Sequence, residues 1–355
     1  MEDYQKKLAE LMVFAGQQGA SDLHIGVGKR PTLRVDGNLI ALAKEAILNP
    51  ESVAGLVSAL LTPEQQDKLI KEREIDLAFS YEDKIRFRVN VYFQRGYLAA
   101  ALRLIPVYIR NIEELNLPPV LHEFTKMNQG FFLAVGPAGH GKSTTLAAMV
   151  DEINHKRMDH IITIEDPIEY IYVQDRALID QREVGFDTVD FHRGLKSILR
   201  QDPDVIMIGE MRDPESIAIA LTAAETGHLV FSTLHTNNAS QTIDRIIDSF
   251  PASQQGQIRS QLSATLVGVM SERLIPRISG GRVPACEVMI TNSAIRNLIR
   301  ELKTYQIDLV VETSSQDGMI SLNRSLAELV RNKEISLENA EMYSLNANEL
   351  RMLLS

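Results

Sequence analysis

The sequence predicts an α/β chain of two units, and three observations carry that expectation. Residues 136–143 read Gly-Pro-Ala-Gly-His-Gly-Lys-Ser and follow the apolar run Phe131-Phe132-Leu133-Ala134-Val135. This fits Gly-x-x-x-x-Gly-Lys-Ser/Thr, the loop that joins a buried strand to a helix and turns its backbone N–H groups toward phosphate. Beyond residue 120, apolar runs of strand length alternate with helical spacing, as in a mainly parallel sheet with ligand groups at its carboxyl edge. At 355 residues the chain exceeds the size at which one hydrophobic core usually suffices, so a second unit is expected.

The elements follow in order. Leu8, Leu11, Met12 and Ala15 recur at helical spacing, which gives an opening helix ending by Gly19. Short strands are expected at 22–25, at 32–35 before an Asp36-Gly37 turn, and at 39–42. Residues 51–73 read as helical, with Pro63 in a first turn. The stretch 85–92 alternates apolar and polar residues, and 98–104 reads as its return strand. Together these form a first domain, 1–105, without nucleotide-binding glycines of its own. A linker is expected at 106–119, ending Leu117-Pro118-Pro119, and a second domain at 120–355. In that domain the pattern gives strands at 130–135, 160–164, 204–208 and 228–233, and helices at 142–155 and 214–225. From about residue 252 the chain reads as helix-rich.

Composition narrows the function. A net charge of −10 argues against a motor that tracks a nucleic-acid backbone, which would show a basic stripe. Cys286 is the single cysteine, so an intramolecular disulfide and a thiolate zinc cluster are excluded; it reads as a buried thiol in a strand. Residues 1–12 are acidic and amphipathic, unlike a secretion leader, and no apolar run approaches the roughly 18 residues of a membrane span. A cytoplasmic protein with no integral membrane segment is expected.

The chemistry of phosphate transfer assigns candidate roles. Gly136, Pro137, Ala138, Gly139, His140, Gly141, Lys142, Ser143 and Thr144 form the expected nucleotide cradle, with His140 pointing outward. Lys142 supplies a cation to the β- and γ-phosphates, and Ser143 a hydroxyl to Mg²⁺. Two acidic clusters end apolar strands: Glu165-Asp166-Pro167-Ile168-Glu169 and Gly209-Glu210. Strand-end carboxylates beside a phosphate loop serve the metal shell and an attacking water. Glu165 and Glu210 are the candidates, with Asp166 and Glu169 as alternatives to Glu165. His228 and His235 flank the run 229–234, too far apart to chelate one metal. One of them is expected to polarise the γ-phosphate or an acid, and the other to make structural hydrogen bonds.

Several blocks carry a resemblance: Gly-Ala-Ser-Asp-Leu-His at 19–24, Arg-Phe-Arg-Val-Asn at 86–90, the phosphate loop, Thr-Ile-Glu-Asp-Pro-Ile-Glu at 163–169 and Gln-Arg-Glu-Val at 181–184. Asp-Val-Ile-Met-Ile-Gly-Glu-Met-Arg-Asp at 204–213 and the histidine-bearing stretch 224–236 complete the set. Over essentially its whole length the chain resembles the type II/IV secretion ATPase superfamily, and within it the twitching-motility, pilus-retraction ATPases. That resemblance implies a PAS-like α/β N-terminal domain, then a RecA-like P-loop ATPase domain with a helical C-terminal part, in a hexameric ring. It further implies ATP as substrate, Mg²⁺ as cofactor, and disassembly of pilin fibres from the cytoplasmic face of the inner membrane. The implied partners are other copies of the chain, an inner-membrane pilus platform protein and a paired retraction ATPase. Glu165 then matches the catalytic glutamate and Glu210 the acid of the metal and water shell. Arg88 and Arg103, which alone would read as solvated strand charges, match arginines that reach the nucleotide.

Within the superfamily, assembly and secretion ATPases commonly carry longer N-terminal regions and a four-cysteine zinc module, a layout that one cysteine excludes. Ala294, Ile295, Arg296, Asn297, Leu298, Ile299, Arg300 and Glu301 reproduce the block associated with retraction. Ile295, Leu298, Ile299 and Leu302 are expected on one helical face, with Arg296 and Arg300 on another. The ending 344–354 is similar to the accessory member of the retraction pair. An accessory or nucleotide-switch ring, and an assembly or secretion ATPase, are the alternatives to a retraction motor. A DNA-processing RecA-like ATPase shares the loop alone.

Overall fold

The computed structural model describes residues 2–35, 37–81, 85–105 and 108–355. Asp36 of the expected turn and Pro106 of the expected linker lie outside the described residues. The chain divides into two compact units, residues 1–108 with 169–171, and 109–168 with 172–355. Residues 109–119 thus belong to the second unit, where Ile112 and Leu117 are buried.

In the first unit, helix α1 (Glu2–Gln17) precedes strands β1 (Asp22–Gly26), β2 (Thr32–Val35) and β3 (Asn38–Ala41). The stretch read as helical holds two helices, α2 (Pro50–Ser58) and α3 (Pro63–Glu72), with Pro63 in the first turn of the second as expected. Thr62 breaks it: its hydroxyl accepts from the Gln65 N–H at 3.3 Å while the Gln65 side chain accepts from the Thr62 N–H at 2.9 Å. This reciprocal box, with Pro63 in the first turn, starts a new helix instead of continuing the old one. Strands β4 (Glu74–Tyr81), β5 (Ile85–Gln94) and β6 (Tyr97–Ile105) follow. β4 was not anticipated, although Ile75 and Leu77 are buried at alternate positions. All six strands pair antiparallel in the order β3-β2-β1-β6-β5-β4. Leu8, Leu11 and Met12 of α1 and Leu56 of α2 join Leu23, Phe87, Val89 and Leu102 of the sheet in one core.

The second unit begins with α4 (Leu121–Thr125), β7 (Gly130–Val135), α5 (Lys142–Lys156), β8 (His160–Glu165), β9 (Leu178–Glu183), α6 (Phe191–Ile198) and β10 (Val205–Ile208). It continues with α7 (Pro214–Glu225), β11 (Leu229–Leu234), α8 (Ala239–Asp248), α9 (Ala252–Thr265), β12 (Leu266–Pro276) and β13 (Arg282–Ile290). Helices α10 (Ser293–Arg300), α11 (Ile307–Thr313), α12 (Leu322–Arg331), α13 (Leu337–Tyr343) and α14 (Ala347–Leu354) end it. The seven strands run β13-β12-β7-β11-β10-β8-β9, parallel throughout except for β13. β7, β10 and β11 are buried at every position, as continuous apolar runs are when helices cover both faces of a parallel sheet.

Four elements depart from the expected pattern. β9 and α6 were not anticipated; β9 is a half-exposed edge strand of mixed polarity, Leu-Ile-Asp-Gln-Arg-Glu. The region read as helix-rich from 252 contains the long β12–β13 hairpin, which starts with no turn after α9. Ile275, Val283 and Ala285 of this hairpin share a core with Leu322, Leu326, Ala340 and Leu350 of the closing helices. Cys286 is buried in β13, where burial and the neighbouring Glu272 push its thiol well above the usual range. No helix among the described residues is long and apolar enough to cross a membrane.

Candidate functional site

The site of the second unit forms where β7, β8, β10 and β11 end on the same side of the sheet. Parallel register brings Val135 beside Leu234, Ser232 beside Ile208, and Ile208 beside Ile164, so the three sequence clusters that follow these strands become neighbours.

The loop leaves β7 at Gly136 and re-enters regular structure at Lys142, the first residue of α5. Gly141 caps the helix at φ +104°, a left-handed conformation that a side chain would strain. Lys142 is only 7% exposed and folds back over the loop, donating to the carbonyls of Gly136 and Pro137 at 2.9 Å each. Its ammonium also lies 3.3 Å from Nδ1 of His235. An ammonium can only donate, so Nδ1 accepts and the ring proton belongs on Nε2, which reaches Oε1 of Glu210 at 3.1 Å. Lys142, His235 and Glu210 therefore lie in one line of close polar contacts. Ser143 is exposed at the start of the helix, and Thr144 is half-buried beside it.

Glu165 is 5% exposed and is oriented by two donors, the Thr163 hydroxyl at 2.7 Å and the Gln181 amide at 3.3 Å. Gln181 comes from β9, the strand that sequence reasoning missed. Gly209, immediately before Glu210, lies so near that a Cβ there would meet the Glu165 Cα at 3.4 Å. The two acids thus stand on adjacent strand ends, Glu165 sunk in the sheet and Glu210 open toward the loop with Arg212 at 3.0 Å. Of the alternatives to Glu165, Glu169 falls in the stretch 169–171 of the first unit.

His228 does not join this group. It precedes β11 at the amino edge of the sheet, where its Nδ1 lies 2.8 Å from the Ala223 carbonyl and 3.3 Å from the Thr226 hydroxyl, closing the end of α7. A catalytic place for His228 within the second unit is corrected to a structural one, since parallel strands carry their two ends to opposite edges. His140 is corrected as well: instead of pointing outward, its Nδ1 accepts from the Leu274 N–H of β12 at 3.0 Å. Burial, with the positive charges of Arg273, Lys142 and Arg282, holds its pKa below the usual value, as an acceptor nitrogen requires.

Sequence reasoning also missed Glu272. It is 3% exposed beneath the phosphate loop, and the Thr145 hydroxyl donates to its Oε2 at 2.6 Å. A carboxylate inside an apolar run after a helix gave no periodic signal.

The retraction-associated block forms α10. Asn292 caps it by accepting from the Ile295 N–H at 3.0 Å, and Ile295 and Ile299 are fully buried with Leu298 packed beside them. Leu302 leaves the expected apolar face: past the helix end it takes φ +61° and is 61% exposed. Arg296 donates to the Ser263 and Ala264 carbonyls at 2.8 and 2.7 Å, tying α10 to the last turn of α9, whereas Arg300 is exposed. Ala294 and Asn297 are exposed, and Glu301 accepts from Asn297 at 3.0 Å.

In the first unit, Arg88 stands directly opposite Arg103 across β5 and β6, Arg103 opposite Asp22 across β6 and β1, and Asp22 opposite Arg34 across β1 and β2. Residues in register share a face, so four charges form one row, with Asp22 among three arginines. Arg103 pairs with Asp22 at 3.0 Å and Arg34 approaches it at 3.9 Å.

The site suits nucleotide phosphates. Among the described residues no group of three or more His, Cys, Asp or Glu is placed to hold a metal ion by itself. A Mg²⁺ held through phosphates would need only one or two protein oxygens, and Ser143 and Glu210 are the residues that would hold it.

Residues 3–350 match the family described as type II/IV secretion system protein. The chain belongs to that family. It is 45% identical over 333 residues to the type IV pilus retraction ATPase PilT of Pseudomonas aeruginosa, covering 94% of this chain and 96% of that one. With the type IV pilus ATPase PilU of the same organism it shares 38% identity over 350 residues, 98% of this chain and 91% of the relative. A crystal structure of the pilus retraction motor PilT with bound ADP matches at a TM-score of 0.90 and 44% identity, covering 96% of this chain and 98% of that one. The α/β first unit, RecA-like second unit and closing helices are the architecture of that motor.

Proposed function

We propose that this chain is a Mg²⁺-dependent ATPase, the subunit of a hexameric ring that powers retraction of type IV pili from the cytoplasmic face of the inner membrane. The observation that carries the reading is the line Lys142–His235–Glu210 across the mouth of the phosphate loop, on a fold matched to an ADP-bound retraction motor. The backbone of 136–143 and the start of α5 cradle the phosphates. Lys142 exchanges the Gly136 and Pro137 carbonyls for β- and γ-phosphate oxygens, and His235 is then freed to report that exchange to Glu210. Ser143, with Glu210 nearby, would hold Mg²⁺, which would supply positive charge to the transferring phosphoryl group. Glu165, oriented by Thr163 and Gln181, positions the attacking water. Arg88 and Arg103 add positive charge in the transition state, which makes turnover depend on where the first unit stands. The pilus platform protein and a paired retraction ATPase are the proposed partners, and α10 is the element through which retraction specificity acts.

Higher identity to PilT than to PilU favours the principal motor over an accessory ring. ATP turnover measured with and without single-stranded DNA tests the enzyme class: turnover independent of DNA supports the motor, and strong stimulation supports a DNA-processing rival. Deleting the gene and imaging surface pili tests the direction of work. Abundant non-retracting pili support retraction, whereas loss of all pili points to assembly.

A further inference from the structure

Glu272 is a buried acid that the proposed reaction leaves unused, and it is built into the floor of the phosphate loop. β12 lies beside β7 in parallel, with Ser271 in register with Val135, so Glu272 comes level with the point where the loop begins. A Cβ on Gly136 would stand 2.4 Å from the Glu272 carbonyl oxygen, and one on Gly141 would stand 2.3 Å from its Oε1. Main chain and side chain of one residue therefore touch the first and last glycines of the loop, while Oε2 holds Thr145 of α5. The loop cannot change shape without moving against Glu272.

We propose that Glu272 is a positioning residue whose carboxyl holds the phosphate loop in its binding shape and whose charge state sets the loop's affinity for nucleotide phosphate. The inference rests on the reading that the loop binds a nucleotide. Its electrostatics follow from placement: a carboxylate directly beneath the cradle repels the phosphates above it, and a neutral carboxyl does not. The groups facing it are Lys142 and Thr145 from α5 and Cys286 opposite it on β13. Burial raises the carboxyl's pKa to about 7, against the Thr145 hydrogen bond and the Lys142 charge, which both lower it. The buried Cys286 thiol stays neutral in that range. Phosphates arriving above Glu272 raise its proton affinity further, so binding takes up one proton from solvent and weakens as pH rises.

The test is the affinity of the full chain for MgADP between about pH 6.5 and about pH 8.5, with proton uptake measured by calorimetry in two buffers of different ionisation heat. Wild-type affinity is expected to fall by up to roughly tenfold per pH unit above the midpoint, the limit for one linked proton. Glu272→Gln keeps the shape and removes the charge; it should bind more tightly than wild type at the alkaline end and lose that part of the pH dependence. Thr145→Val removes the donor that favours the carboxylate and should move the midpoint upward, an outcome readable even where Glu272→Gln folds poorly. A Glu272→Gln protein with the wild-type pH profile, or a Thr145→Val protein with an unmoved midpoint, overturns the inference while leaving nucleotide binding by the loop intact. Wild-type protein that binds no MgADP at any pH removes the underlying reading, and this inference with it.

Discussion

At the carboxyl edge of the second sheet three charged groups are sunk into the fold: Lys142 is 7%, Glu165 5% and Glu272 3% exposed, each with hydrogen-bond partners. The charged row of the first unit is built the other way, with the Arg103 side chain 69% exposed and held by one carboxylate, and Arg88 exposed opposite it. The difference separates two kinds of work. Buried groups are fixed before a nucleotide arrives, so their removal should change binding, as for Lys142, or the placement of a reacting group, as for Glu165. Exposed arginines on a strand face contribute little until something anionic meets them, so their removal should change the transition state alone.

Lys142→Ala is the largest expected effect. It deletes the cation of the cradle and strips the Gly136 and Pro137 carbonyls of a donor. Hydrolysis should vanish and nucleotide affinity fall by an order of magnitude or more, with the fold retained by circular dichroism. Near-normal turnover would remove the second unit from the comparison. Glu165→Gln should follow: ATP still binds, and turnover falls by about 10²-fold or more, the scale of a positioned acid or base. Glu210→Gln should shift the Mg²⁺ dependence as well as the rate. If Glu210→Gln traps bound ATP while Glu165→Gln hydrolyses normally, the two roles are exchanged.

The two regions also differed in how far they could be read in advance. Strands β7, β10 and β11 announce themselves because they are mostly apolar and buried at every position, and the loop and acids at the strand ends, Glu165 after β8 among them, are legible from spacing. Gln181 and Glu272 were not, for physical reasons. Gln181 lies on a half-exposed edge strand of mixed polarity, and β12 follows α9 without a turn residue to mark the change from helical to extended backbone. The partner of Glu272, Thr145, is 127 positions away along the chain, beyond the reach of any local pattern. His140 misled in the same way, because its acceptor role depends on the Leu274 N–H across the sheet. In the first unit the alternation of β5 and β6 located Arg88 and Arg103, but the row through Asp22 to Arg34 needed the registers of three strand pairs.

Arg88→Ala and Arg103→Ala carry the comparison to the first unit. Both should keep nucleotide affinity within a few fold of wild type and lose most turnover, at least about tenfold, as for cations delivered to phosphoryl transfer. Mixing either variant with Lys142→Ala protein should restore some hydrolysis if the arginine acts on a neighbouring subunit. Full activity of both variants would return the row to solvated surface charge, and the contrast between the two regions would be one of exposure only.

Asp22→Asn should give the smallest effect and the sharpest comparison, because it leaves both arginines in place and removes only what holds Arg103. Burial acts to raise the Asp22 carboxyl's pKa, but hydrogen bonds from Ser21 and Arg103 and the Arg103 charge outweigh it and hold the group below its ordinary value of 3.8. A depressed acid stabilises the fold above its unfolded pKa, and that contribution is lost as pH falls through the folded one. The stability deficit of Asp22→Asn should therefore be present at neutral pH and should close as the pH drops below about 4, read by denaturant melts at each pH. Because the Arg103 side chain is 69% exposed and screened, the deficit should stay under about 1 kcal/mol. Turnover should fall a few fold at unchanged nucleotide affinity, since an untethered Arg103 samples more rotamers. Loss of turnover as complete as in Arg103→Ala would mean that the first unit, too, depends on a pre-fixed group, and the two regions would then work alike.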